Sequence, residues 1–173
     1  MRIAVNTRFL QKNRLEGYGY FIQELMQRIT IKHPEHQFLF LFDRDFDKSF
    51  IYNTNINSKV IGPKARHPLS FKYWYDVQLS RAAKKFKADV IVSLDGFCSL
   101  TSSIPQILAV HDLAYLHYPD FIPWYHLWFY KLYQKKFLQK AKHIVTVSEF
   151  SKQDIINNFK IPAEKAFTSG LTL

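Results

Sequence analysis

Between Ile104 and Pro119, an apolar run, Ile104-Pro105-Gln106-Ile107-Leu108-Ala109-Val110, ends abruptly on His111 and Asp112. An imidazole beside a carboxylate can hold, donate or relay a proton near neutral pH, which makes this pair the first candidate for catalysis. The run itself reads as a strand buried on both faces, and open parallel sheets bind ligands beyond the carboxyl ends of their strands. Similar groups stand at three other places: the loop Gly17-Tyr18-Gly19, the pair Asp95-Gly96, and Ser148-Glu149. Paired glycines at a helix start leave backbone N–H groups open to an anion at the positive end of the helix. Taken singly, each of these is a cap, a turn or a satisfied histidine. Placed together on one sheet edge, they outline a ligand crevice.

The flanking elements are those such an edge needs. Strands are expected at 3–6, 37–42, 58–61, 89–94 and 143–147, besides the strand ending on His111. Helices are expected from Gly17, at 71–87 with Ser70 as cap, at about 124–142, and from Ser148. Thr146 and Glu149 have capping-box spacing, with Ser148 as a rival cap. Alternating strands and helices imply an α/β, Rossmann-like doubly wound, mainly parallel sheet with helices on both faces. There is no internal repeat, and residues 163–173 show no second domain.

Several other readings are weaker. A dinucleotide fingerprint fails because the glycine loop follows the first strand too late and lacks its third glycine. Asp43-Arg44-Asp45 has the Asp-x-Asp spacing of a metal-and-nucleotide site, but reads as a solvated acidic turn. His111, Asp112, His117, Asp120 and His126 have no recognised ligand spacing, so no metal is expected. Cys98 reads as a small buried residue rather than a nucleophile, and a single cysteine fits a reducing compartment.

The chain has 173 residues, a formal net charge of +10 and 17% aromatic residues. That balance suits anionic partners and leaves many rings to place. In the helix from Trp124, the residues Leu127, Tyr130, Phe137, Leu138 and Ala141 share an arc that can face the sheet. Tyr125, Trp128, Phe129 and Leu132 fall on the side carrying Lys131, Lys135 and Lys136. That side is a solvated basic edge or, on a sharper reading, a membrane-facing patch led by Trp128 and the three lysines. No apolar run is long enough to span a bilayer and no cleavable leader is evident, so a cytoplasmic protein is expected, peripheral on the inner face of the membrane if the patch binds lipid. The lysines are scattered over several elements, and nucleic acid is not an expected partner.

The order of the Gly-x-Gly loop with Glu24-Leu25, then Val110-His111-Asp112-Leu113, then Thr146-Val147-Ser148-Glu149-Phe150-Ser151-Lys152 resembles the N-terminal half of a retaining GT-B glycosyltransferase of family 4. The resemblance covers nearly the whole chain. It implies a single acceptor-side domain over 1–173 facing a second, donor-binding domain that carries a pair of glutamates. It also implies transfer of a hexose, in mannosyltransferase-like fashion, from a nucleotide-sugar donor to a glycan or lipid-linked acceptor in cell-surface polysaccharide synthesis. No metal or other cofactor is implied. Carried over residue by residue, Gly17 and Gly19 approach the donor diphosphate and the acceptor, and His111 contacts the transferred sugar or the acceptor hydroxyl; Tyr18 and Asp112 are candidates by their place beside these residues. Ser148 and Glu149 line the cleft, and Asp95 and Gly96 are substrate-binding candidates by their place at a strand end. After Ile161-Pro162-Ala163-Glu164-Lys165 the family continues through a strand and an Asn-Gly turn into its second domain, whereas here Ala166-Phe167-Thr168-Ser169-Gly170 follows. The donor-binding half is therefore expected to be missing and the chain alone to be inactive. The alternative is a non-catalytic Rossmann-like module that binds an anionic ligand or polyanion on the same edge.

Overall fold

The computed structural model describes residues 1–12, 14–65 and 67–169. Seven parallel strands run in the order β3-β2-β1-β4-β5-β6-β7: β1 (Arg2–Asn6), β2 (Gln37–Phe42), β3 (Ile56–Val60), β4 (Val90–Ser93), β5 (Gln106–Ala109), β6 (His143–Thr146) and β7 (Ala166–Thr168). Strand order reverses between β1 and β4, where Asn6 pairs in register with Ser93. This topological switch point is where a doubly wound sheet opens a crevice beyond its strand ends.

Side-chain alternation along the strands sorts the core into two layers. Val5, Phe38, Phe40 and Phe42 face one side, where Ile22 and Met26 of α1 (Gly17–Lys32) cover them. Ala4, Leu39, Leu41, Ile91 and Leu108 face the other. That layer is covered by α2 (Pro68–Tyr73), a π-helical segment at Trp74–Leu79, α3 (Ser80–Phe86), α5 (Trp124–Lys140) and α6 (Glu149–Phe159). A short α4 (Ala114–His117) follows β5. Chain progression outward on both sides of the reversal, with right-handed crossovers, places α1 on one face and the later helices on the other.

Several expectations need correction. The second long helix begins at Pro68, so His67 is its N-cap; Ser70 is not the cap but accepts from the His67 N–H at 2.9 Å. The third strand starts two residues before Ser58, and the sequence pattern marks neither α4 nor β7. β7 is the strand with which the family was expected to continue: Ala166 to Thr168 pair with Ile144 to Thr146. Residues 170–173, also part of the stretch read as ending the domain, lie outside the described residues. Phe129 is 2% exposed rather than on the outer face, because α5 packs against Phe71 of α2 as well as the sheet and so buries a wider arc. Trp128, Lys131, Lys135 and Lys136 lie exposed on the opposite face of α5.

Candidate functional site

Asp95, at the end of β4, is the hub of the switch-point crevice. Its side chain is fully buried, and Oδ2 accepts from Arg8 Nε at 2.6 Å, Tyr75 OH at 2.6 Å and Asn6 Nδ2 at 2.9 Å. Oδ1 has no hydrogen-bond partner among the described residues. The π-helical segment supplies the next two buried groups, Trp74 and Tyr75. Trp74 Nε1 donates to Ile61 O at 2.8 Å, and Tyr75 reaches Asp95. Arg8 lies among the rings of Phe9, Phe71 and Phe97, at 4.4, 4.8 and 5.8 Å, and donates to Ala65 O. Each ring turns an electron-rich face to the guanidinium. Burial works against the Arg8 charge, but Tyr75 and Asp95 more than offset that and hold its pKa above the ordinary arginine value.

One step along the sheet edge, His111 Nε2 lies 3.1 Å from Leu94 O, joining the ends of β4 and β5. A carbonyl only accepts, so this nitrogen carries the hydrogen and Nδ1 is left as an acceptor. Burial lowers the His111 pKa, against the opposing pull of the Leu94 bond and of Asp112 and Asp95, so the ring is neutral at neutral pH. Tyr18 and Phe21 meet it edge-on at 4.5 and 4.7 Å, which brings the start of α1 against the β5 end. Beneath it, Ser151 Oγ donates to His111 O at 2.7 Å, and the Ser151 N–H is capped by Ser148 Oγ. Ser148, not Thr146, is therefore the cap of α6.

These groups border two adjoining cavities that share Tyr18, Asp95 and Tyr130. The larger, about 540 Å³, extends past Phe9, Arg14 and Arg44 to His126; the smaller, about 150 Å³, reaches His111, Asp112 and Tyr115. Two arginines of the larger cavity meet buried carboxylates, and the third is exposed beside Glu16. Arg8 pairs with Asp95, Arg44 with Asp43 and Arg14 with Glu16. Asp43, read as part of a solvated turn, is 2% exposed and accepts both from Arg44 and from the Ala65 N–H.

The edge therefore brings together Tyr18, Asp95, Gly96 and His111. Asp112 lines the smaller cavity, with Oδ1 accepting from the Ala114 N–H at 2.9 Å. Ser148 acts through its cap, and Glu149 is exposed, bonded to Gln153 and Lys152 of its own helix, without lining either cavity. Gly96 has a φ of +85°. Side chains resist that conformation. The other two glycines differ from each other. A Cβ on Gly19 would lie 2.8 Å from Leu15 Cδ2 and 2.9 Å from Phe9 O, whereas one on Gly17 meets nothing. Gly19→Ala is thus expected to cost about 1–3 kcal/mol, since the Phe9 carbonyl cannot move aside cheaply. Gly17→Ala should stay within about 0.5 kcal/mol, and thermal unfolding of the two variants side by side checks the contrast. Arg8, Asn6, Tyr75 and Ser151 are site residues that the sequence pattern does not mark. Cys98 is buried, and burial, followed by Asp76, pushes its thiol up to about 12. A thiol held protonated in this way is inert.

No curated protein sequence matches this one at a significant level. Among solved structures, HepE of Anabaena, crystallised with UDP and glucose, matches with TM-score 0.59 and 13% identity over 97% of this chain and 44% of its own. A glycosyltransferase of Rickettsia africae matches with TM-score 0.56 and 15% identity, over 96% of this chain and 42% of its own. The lipopolysaccharide outer core galactosyltransferase WaaB, in its apo form, matches with TM-score 0.52 and 14% identity, over 96% and 44%. The chain thus spans less than half the length of these proteins, and the likeness is one of fold, the Rossmann-like unit of GT-B glycosyltransferases. The family model described as Glycosyltransferase Family 4 matches residues 19–168, from the second loop glycine to the last residue of β7. The chain belongs to glycosyltransferase family 4.

Proposed function

We propose that this domain holds the acceptor in a retaining transfer of a hexose from a nucleotide-sugar to a glycan or lipid-linked acceptor, with the donor carried on a second domain across the cleft. The observation that carries this reading is the pair of adjoining cavities at the switch point, walled by rings and by charges that are already paired, with the His111 imidazole at the edge of the smaller. A sugar matches such a wall. Its hydroxyls can donate to His111 Nδ1, while its C–H faces lie on Phe9, Tyr18 and Tyr130. A polyanion is a poorer match, because the cavity arginines have carboxylate partners and little uncompensated positive charge remains. HepE, with UDP and glucose bound, supports a nucleotide-sugar as donor class. No cofactor enters this reading, and the 173-residue chain alone is expected to give no turnover.

An NMR titration separates this reading from that of an anion-binding module. Oligosaccharides at millimolar concentration should shift the amides of Tyr18, Gly96 and His111, and polyphosphate should not. The reverse result would favour the anion-binding module.

The outer face of α5 fits an acceptor displayed on a membrane. Trp124 and Trp128 are 79% and 57% exposed, and Lys131, Lys135 and Lys136 continue the same face. No helix among the described residues is long and apolar enough to cross a membrane. Contact of this kind would be interfacial. Flotation with anionic vesicles should recover the chain, and Lys131→Glu with Lys135→Glu should abolish recovery. Equal recovery on zwitterionic vesicles would remove the electrostatic part.

A further inference from the structure

We propose that the turn His33-Pro34-Glu35-His36 binds a divalent transition-metal ion of the zinc class, at the sheet edge opposite the cleft. Donor atoms of His33, Glu35 and His36 all lie within 4.8 Å of one another. Glu35 Oε1 is 3.2 Å from His33 Nδ1 and 3.5 Å from His36 Nδ1. Tetrahedral zinc with bonds of about 2.0–2.2 Å separates neighbouring ligand atoms by roughly 3.3–3.6 Å, so both separations lie close to edges of the polyhedron. The third pair of donors, the two imidazole nitrogens, lies within 4.8 Å, and the Met1 amine stands 3.5 Å from His36 Nδ1.

The turn is held in shape from below. The His33 N–H ends α1 by donating to Ile29 O, and the His36 N–H closes the turn on His33 O at 3.1 Å. Buried Asn55 donates from Nδ2 to the carbonyls of His33, at 3.2 Å, and of His36, at 3.1 Å, tying together the backbones of both ligands. Pro34 fixes φ between them. Binding therefore orders little that is not already ordered. The turn lies at the carboxyl end of a sixteen-residue helix. That position favours a cation. Two imidazoles and one carboxylate suit zinc, nickel or copper better than magnesium or calcium, and water fills the remaining position. The bound ion would clamp the end of α1 to the start of β2, leaving the cleft untouched.

Calorimetric titration of the 173-residue chain with zinc chloride alone tests the assignment. One ion per chain is expected, with a raised melting temperature. His33→Ala, His36→Ala and the near-isosteric Glu35→Gln should each weaken binding at least tenfold, and cobalt(II) should give the intense visible bands of four-coordinate geometry. Zinc bound with unchanged affinity by the His33→Ala, His36→Ala double variant, or absence of both heat and thermal shift in the parent chain, overturns the proposal. Glu35→Gln keeps the test decisive if the histidine variants fold poorly.

Discussion

Replacing Asp95 with Ala is expected to lower stability by about 3–5 kcal/mol, because it strands the Arg8 guanidinium in the interior without its counter-charge. The Arg8 side chain is 7% exposed, and its remaining acceptor among the described residues is the carbonyl of Ala65. Tyr75 OH and Asn6 Nδ2 lose an acceptor as well. Each such loss adds to the cost. For a chain of this length the melting temperature should fall by roughly 6–20 °C. Combining Asp95→Leu with Arg8→Met should restore much of the loss, since a buried ion pair replaced by apolar groups of similar volume is often close to neutral. Urea unfolding of the two single variants and the double variant measures the coupling. Additive losses, or a single-variant loss below about 1 kcal/mol, would show that Asp95 is not the anchor described here.

The same pair shows why part of the site is hidden in the sequence. Arg8 sits in a stretch that reads as polar and basic, and its carboxylate partner is 87 residues away. Patterns of local periodicity carry no information on such a pairing. Asp43 is hidden for the same reason: its solvated appearance is reversed by Arg44 and by the Ala65 N–H, which arrives from a loop beyond β3. Tyr75 is masked in the same way, because only the folded chain sets its hydroxyl against Asp95, 20 residues on. Phe129 is misplaced by a wheel that assumes one buried face, because α5 is packed on two.

What can be read is whatever repeats or breaks sharply. The apolar runs of β1, β2, β4, β5 and β6 point to the parallel sheet, and the polar residues following them, Asp95 and His111 above all, mark the edge on which the two cavities open. The glycine loop is legible as a helix start but not in its detail. Gly19 is required by contact with Leu15 and Phe9, whereas Gly17 stands in open space, so a shared motif conceals two different constraints. Ser151 is a similar case. It lies within the Thr146 to Lys152 run that carries the family resemblance, yet only the folded chain brings its hydroxyl to the His111 carbonyl.

On the proposed acceptor-side role, His111→Ala in a two-domain enzyme carrying this domain is expected to reduce transfer about 10- to 100-fold, the value of one well-placed hydrogen bond. His111→Asn should recover part of it, since the amide oxygen can take the place of Nδ1 as an acceptor. The pH response distinguishes this role from a purely structural one. Burial lowers the folded-state pKa of His111. The unfolded chain therefore binds the proton more readily. The stability contribution of the neutral ring is complete above the ordinary histidine value of about 6.5 and is lost as pH falls through that value toward the lower folded pKa. Transfer should fall over the lower part of that window, at the folded pKa, as Nδ1 becomes protonated and can no longer accept. NMR titration of the His111 ring should give a midpoint below that of an exposed histidine, and the acid limb of the rate profile should follow it. A rate profile unchanged in His111→Ala would remove the imidazole from the reaction and leave it a packing role between Tyr18 and Phe21.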